Sequence, residues 1–580
     1  MAKWFITTKR ADFEATAKQF HISSVTARIM RNRDLITAEE INLFLNGTLA
    51  DLHSPHTMKG IDAAVSIITG AIAAGKKIRI VGDYDIDGIC ASYILLTGLQ
   101  KCAADVDVRL PDRIKDGYGI NESIIEQAHQ DGVQLIVTCD NGIAAFREME
   151  MARVLGMKTV VTDHHEVPYD LTETGDKVYK LPPADAVVDP HQEGCSYPYA
   201  GICGAVVAYK LVEALYEIQD PSLDISDGLL EFAAIATVGD VMELLDENRI
   251  IVKYGIERIK TTQNVGLRAL IDVTQINKDK LSTFDIGFVL GPCINATGRL
   301  DTAERALSLF TTTDQTEAVQ IANELKDLND SRKELTKRYQ TEAIHQAEKM
   351  IETDKVLVIY LSDCHESLAG IIAGRIKERY YRPTFVLTGT ADGVKGSGRS
   401  IEFYHMYEEM SKCRDLFKKY GGHKMAAGLS MKEEQIGEFR KRLNEETTLT
   451  EEDMQEKVQI DIPMPITYAS KELIKELEVL KPHGIGNPRP LFAEKDVKIL
   501  SARVFGKNQN VVKLSLENSA GSNLDGIWFG EGSLFMQEFE KSDHKSISIA
   551  YYPTLNVYMG REDVQLNIQH YLLHKMDRFS

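Results

Sequence analysis

IRIVGDYDIDG, residues 78–88, is a short and largely apolar run that breaks abruptly into a turn carrying three aspartates, Asp83, Asp85 and Asp87. An apolar run of this length, stopped by Gly-Asp, is a buried strand ending at a polar rim. The same pattern recurs downstream. VQLIVT (133–138) leads into Cys139-Asp140-Asn141-Gly142, and KTVVT (158–162) leads into Asp163-His164-His165. A fourth apolar run, DAVV, covers 185–188. Helical stretches separate these runs, so the layout predicts an α/β fold with a doubly wound parallel sheet. Ligands of such sheets bind outside the carboxyl ends of the strands. Three strands therefore deliver carboxylates and imidazoles to one rim, and a further acid, Asp240, follows the apolar helix EFAAIATVG.

Gathering that many carboxylates without a cation costs several kcal/mol in repulsion or drives their pKa values up. A divalent metal resolves the conflict. Mixed Asp/His donors without a thiolate suit Mn²⁺ or Mg²⁺, Mn²⁺ being favoured, and speak against a closed zinc site. Two metals about 3.5–4 Å apart, sharing a carboxylate, are the usual device for activating water against a phosphoryl centre. A lone DxDG is more often a turn and a lone DHH can cap a helix; the conjunction of four acidic pieces is what argues for a site. Gly70–Lys76 fits the spacing GxxxxGK, but Lys77 stands where Ser or Thr would hold Mg²⁺, and the segment precedes a strand instead of following one. It predicts a helix ending at glycine, not a nucleotide site.

Working outward, 580 residues predict three or four domains at about 150 residues each. The apolar fraction of 43% and charged fraction of 26% are those of an ordinary globular chain. No run reaches the roughly 18 apolar residues of a membrane helix. The start, MAKWFITTKR, has no apolar signal core, so a cytoplasmic protein is expected, without a membrane partner. Eight cysteines occur with no CxxC pair and read as reduced core residues. The net charge of −19 argues against a simple DNA-coating protein, but residues 481–580 carry 12 basic and 11 acidic side chains. An acidic body can still hold a polyanion where local basic groups grip it.

Residues 1–52 read as a helical cap, with Thr37 as N-cap and Gly47 as stop. Residues 200–270 read as helical. The charged stretch 314–352 has the length of a connector helix. A smaller α/β unit starts at VLVIYL (356–361). After KPHGIGNPRP the chain alternates short strands and turns, as in a small β-barrel.

GDYDIDG, TCDNG, the DHH triplet and VGDVMEL resemble, in order, the four motifs of the DHH phosphoesterases, and GGHKMAAG (421–428) resembles the signature of the accessory DHHA1 domain. PDRIKDGYG (111–119), GPCINATGRLDTAERAL (291–307), HESLAGIIAGRIKERYYRP (365–383), GSGRS (396–400) and HGIGNPRPLF (483–492) resemble the RecJ branch of that superfamily. The resemblance spans about residues 50 to 580. It implies a cap (1–52), a DHH domain (53–313), a connector helix (314–352), a DHHA1 domain (353–450), and a linker with an OB-like barrel (451–580).

Position by position, it implies one metal on Asp83 and Asp140 and a second on Asp85, Asp140, His164 and Asp240. Asp140 would bridge them, His165 would face the scissile phosphate and Asp163 would support the histidines. Val81 stands where some relatives place a histidine, and Cys364, Ser367 and His483 depart from the commoner residues. Arg113, Arg299, Ser397, Arg399 and His423 match substrate-gripping positions. Guanidinium forks suit phosphate, and Gly396 and Gly398 are expected to let backbone N–H groups approach the anion. Trp528, Phe529, Tyr551, Tyr552 and Tyr558 are candidates for stacking bases. The implied activity is 5′→3′ hydrolysis of single-stranded DNA to mononucleotides, in DNA repair and recombination. Single-strand binding protein and a helicase would be partners. The alternative is a phosphodiesterase for short oligonucleotides or cyclic dinucleotides.

Overall fold

Five short strands, β1 (Ile78–Val81), β2 (Val106–Arg109), β3 (Leu135–Cys139), β4 (Lys158–Thr162) and β5 (Ala186–Val188), pair in the order β2-β1-β3-β4-β5, every pairing parallel. The structure, a computed structural model, describes residues 2–575 apart from Ile114, Glu173, Ser519, Ala520 and Met559. β1 and β3 are buried at every position, as central strands covered on both faces must be. β2 (VDVR) lies at the edge and half exposed, which is why its sequence carries no apolar run. The strand order reverses between β1 and β3. The aspartates that follow these two strands therefore flank the topological switch point, where open sheets of this kind bind ligands.

The chain divides into two compact units, residues 53–242 with 254–456, and residues 2–52 and 243–253 with 457–580. In the first, α1 (Ile86–Lys101) leaves β1, and the helices α2 (Gly204–Gln219), α3 (Leu230–Gly239) and α4 (Gly291–Leu300) follow the sheet. The expected connector is α5 (Gln315–Met350), 36 residues long, started by the Asp314 carboxylate accepting from the amides of Thr316 and Glu317. Its buried residues, among them Ala318, Ile321, Ala322 and Leu325, form one stripe. Beyond it, α6 (Ala369–Tyr380) packs on a mixed sheet of β6 (Leu357–Leu361), β7 (Thr384–Thr390), β8 (Gly393–Arg399), β9 (Phe417–Gly422) and β10 (Ala426–Met431), ordered β9-β10-β8-β7-β6.

The second unit holds a five-stranded barrel of β11 (Phe492–Phe505), β12 (Val511–Glu517), β13 (Asn523–Phe529), β14 (Ser542–Tyr558) and β15 (Arg561–Lys575), closed by pairing of β11 with β14. Residues 2–52 do not stand apart as a cap. Ile29, Met30, Ile41 and Phe44 share one core with Phe492, Leu514 and Ile549. The chain also begins with a strand, Lys3–Ile6, parallel to Lys457–Ile460, where only helix was expected. Apolar residues of three short helices cannot bury themselves, and the barrel supplies the missing surface.

Arg249 ties the same unit together. Only 2% exposed, it donates to five carbonyls: Phe44 (2.9 Å), Val479 (3.0 Å), Leu480 (3.1 Å), Lys481 (2.7 Å) and Pro482 (3.3 Å). Burial lowers its pKa to about 9, yet it stays charged at neutral pH. An ammonium has three donors and no planar fork, so Arg249→Lys is expected to cost about 2–4 kcal/mol. Both tryptophans, Trp4 and Trp528, belong to this unit. Their fluorescence should show the lower urea midpoint; an unchanged midpoint would refute the tie.

Candidate active site

The first acids are placed by backbone that tolerates no extra atoms. A Cβ on Gly88 would meet the Asp83 backbone at 2.5 Å, so the turn after β1 folds tightly onto α1. Asp83 is buried and accepts from the Gly119 amide (3.2 Å). Asp85 caps α1, its Oδ1 accepting from the amides of Asp87 (3.0 Å) and Gly88 (3.1 Å). Across the switch point Asp140 follows β3 in left-handed backbone, φ 60°. That conformation costs a non-glycine residue about 1 kcal/mol or more and persists only where the surroundings impose it. Asn141 does so: its Nδ2 donates to the carbonyls of Val81 (3.1 Å) and Cys139 (2.9 Å), and its Oδ1 accepts from Ile120 (3.2 Å). Gly204, at the start of α2, faces Asp140 so closely that a Cβ there would lie 2.7 Å from the aspartate Cβ.

The DHH triplet follows β4. Asp163 is buried, accepting from His165 Nδ1 (2.7 Å) and the His164 amide (2.8 Å) on one oxygen and from the Ile143 amide (2.9 Å) on the other. His164 Nε2 lies 3.1 Å from Asp140, 3.5 Å from Asp87 and 3.9 Å from Asp240. Three sets of ligand atoms converge within 4.8 Å: Asp83, Asp85 and Asp140; Asp140, His164 and His165; and Asp87, His164 and Asp240. Asp140 joins the first two sets, as a bridging carboxylate would. Asp85 falls in with Asp83 and Asp140, whereas the family pattern assigned it with His164 and Asp240.

Two residues of this cluster were not anticipated. Asp87 turns both oxygens to the start of α2, accepting from the amides of Gly204 (2.7 Å) and Ala205 (2.8 Å), and so fixes that helix against the site. Its signal was present, as the third acid of DYDID. Tyr118 donates to the Asp140 carbonyl (3.0 Å) and sits 3.2 Å from His165 Nε2. A tyrosine in a loop carries no such signal.

Burial, followed by repulsion from neighbouring carboxylates, pushes Asp83 and Asp140 well above the aspartate range, and raises Asp240 to about 8. Burial lowers His164. It also opposes charge on His165, but the Asp163 hydrogen bond prevails and brings that ring to about 9. Carboxylates raised in this way are stabilised as anions only by a cation. All donors are oxygen or nitrogen. The neighbouring Cys139 thiol is buried against Ser92 and pushed up to about 12, so it offers no thiolate. The set fits Mn²⁺ or Mg²⁺.

A stability test follows from these shifts. The folded, metal-free protein holds protons that the unfolded chain releases. Its stability therefore falls as pH rises from the ordinary aspartate value of 3.8 toward about 8. Mn²⁺ at a hundredfold excess over its Kd should restore about 2.7 kcal/mol. Thermal melts at pH 8 with EDTA or Mn²⁺ should show a clear rise in Tm with the metal; identical melts would contradict the site.

The candidate phosphate-gripping residues lie in the same unit. Arg299, on α4, donates to the Ser367 carbonyl (2.7 Å); Arg399, ending β8, donates to the Gly398 carbonyl (2.8 Å). Arg113 lies over the Tyr84 ring, 4.9 Å from its centre. Burial and the like charges of Arg113, Arg332 and Arg399 lower Arg299 to about 10, opposed by Asp85. A Cβ on Gly370 would sit 2.7 Å from Arg399 Nη2, so glycine on α6 makes room for that guanidinium. Ser397 is central in β8, and alternation puts it on the same face as Arg399. His423 lies exposed in the turn between β9 and β10, near the Ala426–Arg399 pair.

Gly396 and Gly398 have a different role from the one expected. Cβ atoms there would strike Leu387 at 2.3 Å and Phe385 at 2.7 Å. The glycines accommodate core side chains, and their strand is paired on both sides, to β7 and β10. Val81 and Cys364 are core residues. Of the barrel aromatics, Tyr551 is core, fully buried with its hydroxyl on the Met464 carbonyl (3.0 Å), and Trp528 packs on Phe535 and Tyr571. Phe529 is exposed, Tyr552 lies beneath Arg489, 5.0 Å from the ring centre, and the Tyr558 side chain lies outside the described residues.

Comparison with known proteins gives three family matches: the DHH family N-terminal domain over residues 77–237, the DHHA1 domain over 353–448 and the RecJ OB domain over 460–570. The single-stranded-DNA-specific exonuclease RecJ of Bacillus subtilis is 36% identical over 98% of this chain and 70% of its own length. That of Escherichia coli is 32% identical over 97% and 98%. The structure of Thermus thermophilus RecJ in complex with Mn²⁺ covers 98% of this chain and 79% of its own, at 27% identity and a TM-score of 0.83; the same protein is known with Mg²⁺.

Proposed function

Because the chain belongs to the RecJ family of single-stranded-DNA-specific exonucleases, we propose that it hydrolyses single-stranded DNA from the 5′ end to mononucleotides, in DNA repair and recombination. It is a metal-dependent phosphoesterase. Asp83, Asp85, Asp140, His164 and Asp240 would hold Mn²⁺ or Mg²⁺, with Asp87 closing one side of the cluster. Bound there, the cations would lower the pKa of a water and polarise a phosphoryl oxygen.

The protein's own groups do the positioning. Asp163 keeps His165 protonated, with one N–H committed to Asp163 and the other, at Nε2, turned toward Tyr118 and the site. An imidazolium so placed can donate to a phosphoryl oxygen as negative charge develops. Arg113, Arg299, Ser397 and Arg399 would hold the terminal 5′-phosphate, which fixes the scissile bond one nucleotide inward. The observation that carries this reading is that α4, which bears Arg299, packs on the aspartate turn: Asn295 accepts from the Ile86 amide (2.9 Å), and a Cβ on Gly298 would lie 2.3 Å from the Tyr84 carbonyl oxygen. Phe529, and Tyr552 beside Arg489, offer base-stacking surfaces on the barrel, each worth about 1–3 kcal/mol.

The family resemblance further proposes a single-strand binding protein and a helicase as partners, and a cytoplasmic location. Among the described residues no helix is long and apolar enough to cross a membrane. Rates on a long single strand and on a dinucleotide, compared in Mn²⁺, test the substrate. The long strand should be degraded progressively. Hydrolysis confined to the dinucleotide would establish the short-oligonucleotide alternative.

A further inference from the structure

The stretch of helix that leads into α4 leaves two phenylalanines in solvent. Thr283–Asp285, Ile286–Leu290 and α4 follow one another without a break in right-handed helical backbone, and the middle segment is a π-helical turn. Widened turns of this kind inside α-helices are frequent at functional sites. Phe284 and Phe288 are 57% and 69% exposed, and among the described residues no aromatic side chain is more exposed than Phe288. Their rings stack, with centroids 4.9 Å apart and planes 24° from parallel. Large apolar rings that bury so little within their own chain mark a surface made for a partner.

Contacts along this helix place the pair relative to the metal ligands. At the Arg299 end, Gly298 packs on the Tyr84 carbonyl and Asn295 accepts from the Ile86 amide. Further back, a Cβ on Gly291 would lie 3.2 Å from Ile86 Cδ1, and one on Gly287 would lie 3.5 Å from Val238 Cγ1, on the helix that ends at Asp240. A path from Arg299 to Phe288 therefore passes the turn of Asp85 and then the end of α3 with Asp240. Its length is about 15 Å, at about 1.5 Å of rise per residue. Val241, next to Asp240, is exposed too and is held in left-handed backbone, φ 62°, where a β-branched residue stays only under constraint. Apolar surface thus reaches the metal ligands from the side opposite Arg299.

We propose that Phe284 and Phe288 form a stacking platform for bases of the DNA strand on the 3′ side of the scissile bond. With the 5′-phosphate at Arg299 and the scissile bond at the metal ligands, the strand continues toward the π-helical turn. It covers that distance in about four nucleotides at the stacked spacing of about 3.4 Å, and in fewer when extended. A base laid on the outer face of Phe288 extends the ring stack already present, and it does so without reading sequence, because every base has a π-face. A base inside a duplex already has both faces covered by its neighbours, so the platform also favours a single strand. The inference rests on the reading of 5′-end hydrolysis given above and adds the residues that hold the strand beyond the cut.

The test uses the full chain in Mn²⁺ and one 5′-phosphorylated, 3′-labelled single strand, intact or with a single abasic residue placed at successive positions inward from the 5′ end. In the wild type, an abasic residue at the stacked position should lower kcat/KM about tenfold, chiefly by raising KM. Phe288→Ala should lose about tenfold on the intact strand and nothing further when the abasic residue stands at that position. Phe288→Tyr should keep the wild-type pattern, and Phe284→Ala, which removes the ring behind Phe288, should weaken the same position. Comparing strands within one variant removes any general loss of active protein. Losses that multiply at every position, so that variant and abasic residue act independently, would overturn the proposal. So would wild-type rates for Phe288→Ala on every strand, the outcome if the pair receives a protein partner instead. A wild type whose digestion does not begin at the 5′ end is a separate failure, that of the functional reading, and the platform falls with it.

Discussion

Asp140→Asn is expected to lower hydrolysis at least about a thousandfold, or about 4 kcal/mol in the barrier, while single-strand binding survives. Asp140 belongs to two of the three converging ligand sets, so its loss leaves neither neighbouring set intact. Asparagine keeps the size of the side chain and tolerates the left-handed backbone at this position, φ 60°. It also keeps the close packing against Gly204. The substitution removes a buried charge whose pKa is pushed well up by burial and by Asp87, Asp85 and Asp83. The metal-free variant should therefore melt no lower than the wild type, and above neutral pH it should melt higher. A variant retaining more than about a tenth of the wild-type rate, an effect of only about 1.4 kcal/mol, would show that Asp140 bridges nothing.

Arg399→Ala should erase the preference for a 5′-phosphate over a 5′-hydroxyl. A guanidinium–phosphate contact of this kind contributes about 2–3 kcal/mol, which corresponds to about thirty- to a hundred-and-fifty-fold in kcat/KM for the phosphorylated end. The hydroxyl-ended strand should lose far less, because it never made the contact. Gly370→Ala offers an independent approach to the same side chain: the added methyl would sit 2.7 Å from Nη2 and must displace it. Both variants should therefore fail on the same substrate. If the preference persists in Arg399→Ala, the pocket has been assigned to the wrong anion.

The candidate site residues stand at strand ends, and that is why they were legible. A parallel sheet covered on both faces needs uninterrupted apolar strands, so the sequence marks where each strand stops, and Asp83, Asp140 and the Asp163–His165 triplet follow those stops. The long helix was equally plain, opened by its Asp314 cap and carried through one apolar stripe. Contacts between distant segments left no such trace. Nothing near Asp87 announces that it will hold the amides of Gly204 and Ala205, more than a hundred residues on. Arg332 reads as one more charge on a charged helix until its Nε and Nη2 are seen on the amide oxygen of the buried Asn329.

Three expectations failed, each for its own physical reason. Gly396 and Gly398 flank a candidate phosphate ligand, which suggested anion contact, but a strand paired on both sides has committed its amides, and large side chains fill the glycine face. Tyr551 has the residue type of a stacking platform, and alternation along β14 turned it into the core while its neighbour Tyr552 stayed accessible to Arg489. The N-terminal residues read as a helical cap from the Thr37 N-cap and the Gly47 stop; the surface they cover lies more than four hundred residues away in the barrel. Removing the barrel would strip Ile29, Met30 and Phe44 of their core, so its contribution to binding is better tested by replacing Phe529 and Tyr552.

The proposed function requires that one site, with metal ligands at the switch point and a guanidinium pocket in the same unit, degrade a single strand from its 5′ end. A time course in Mn²⁺ on one single-stranded DNA, labelled in parallel reactions at its 5′ or its 3′ end, tests this most directly. With 5′ label, the account predicts that mononucleotide appears from the first time point and no longer labelled fragment precedes it. With 3′ label, it predicts a ladder that shortens progressively, and no product from either strand in EDTA. Mononucleotide released first from the 3′-labelled strand, or hydrolysis undiminished by EDTA, would contradict it.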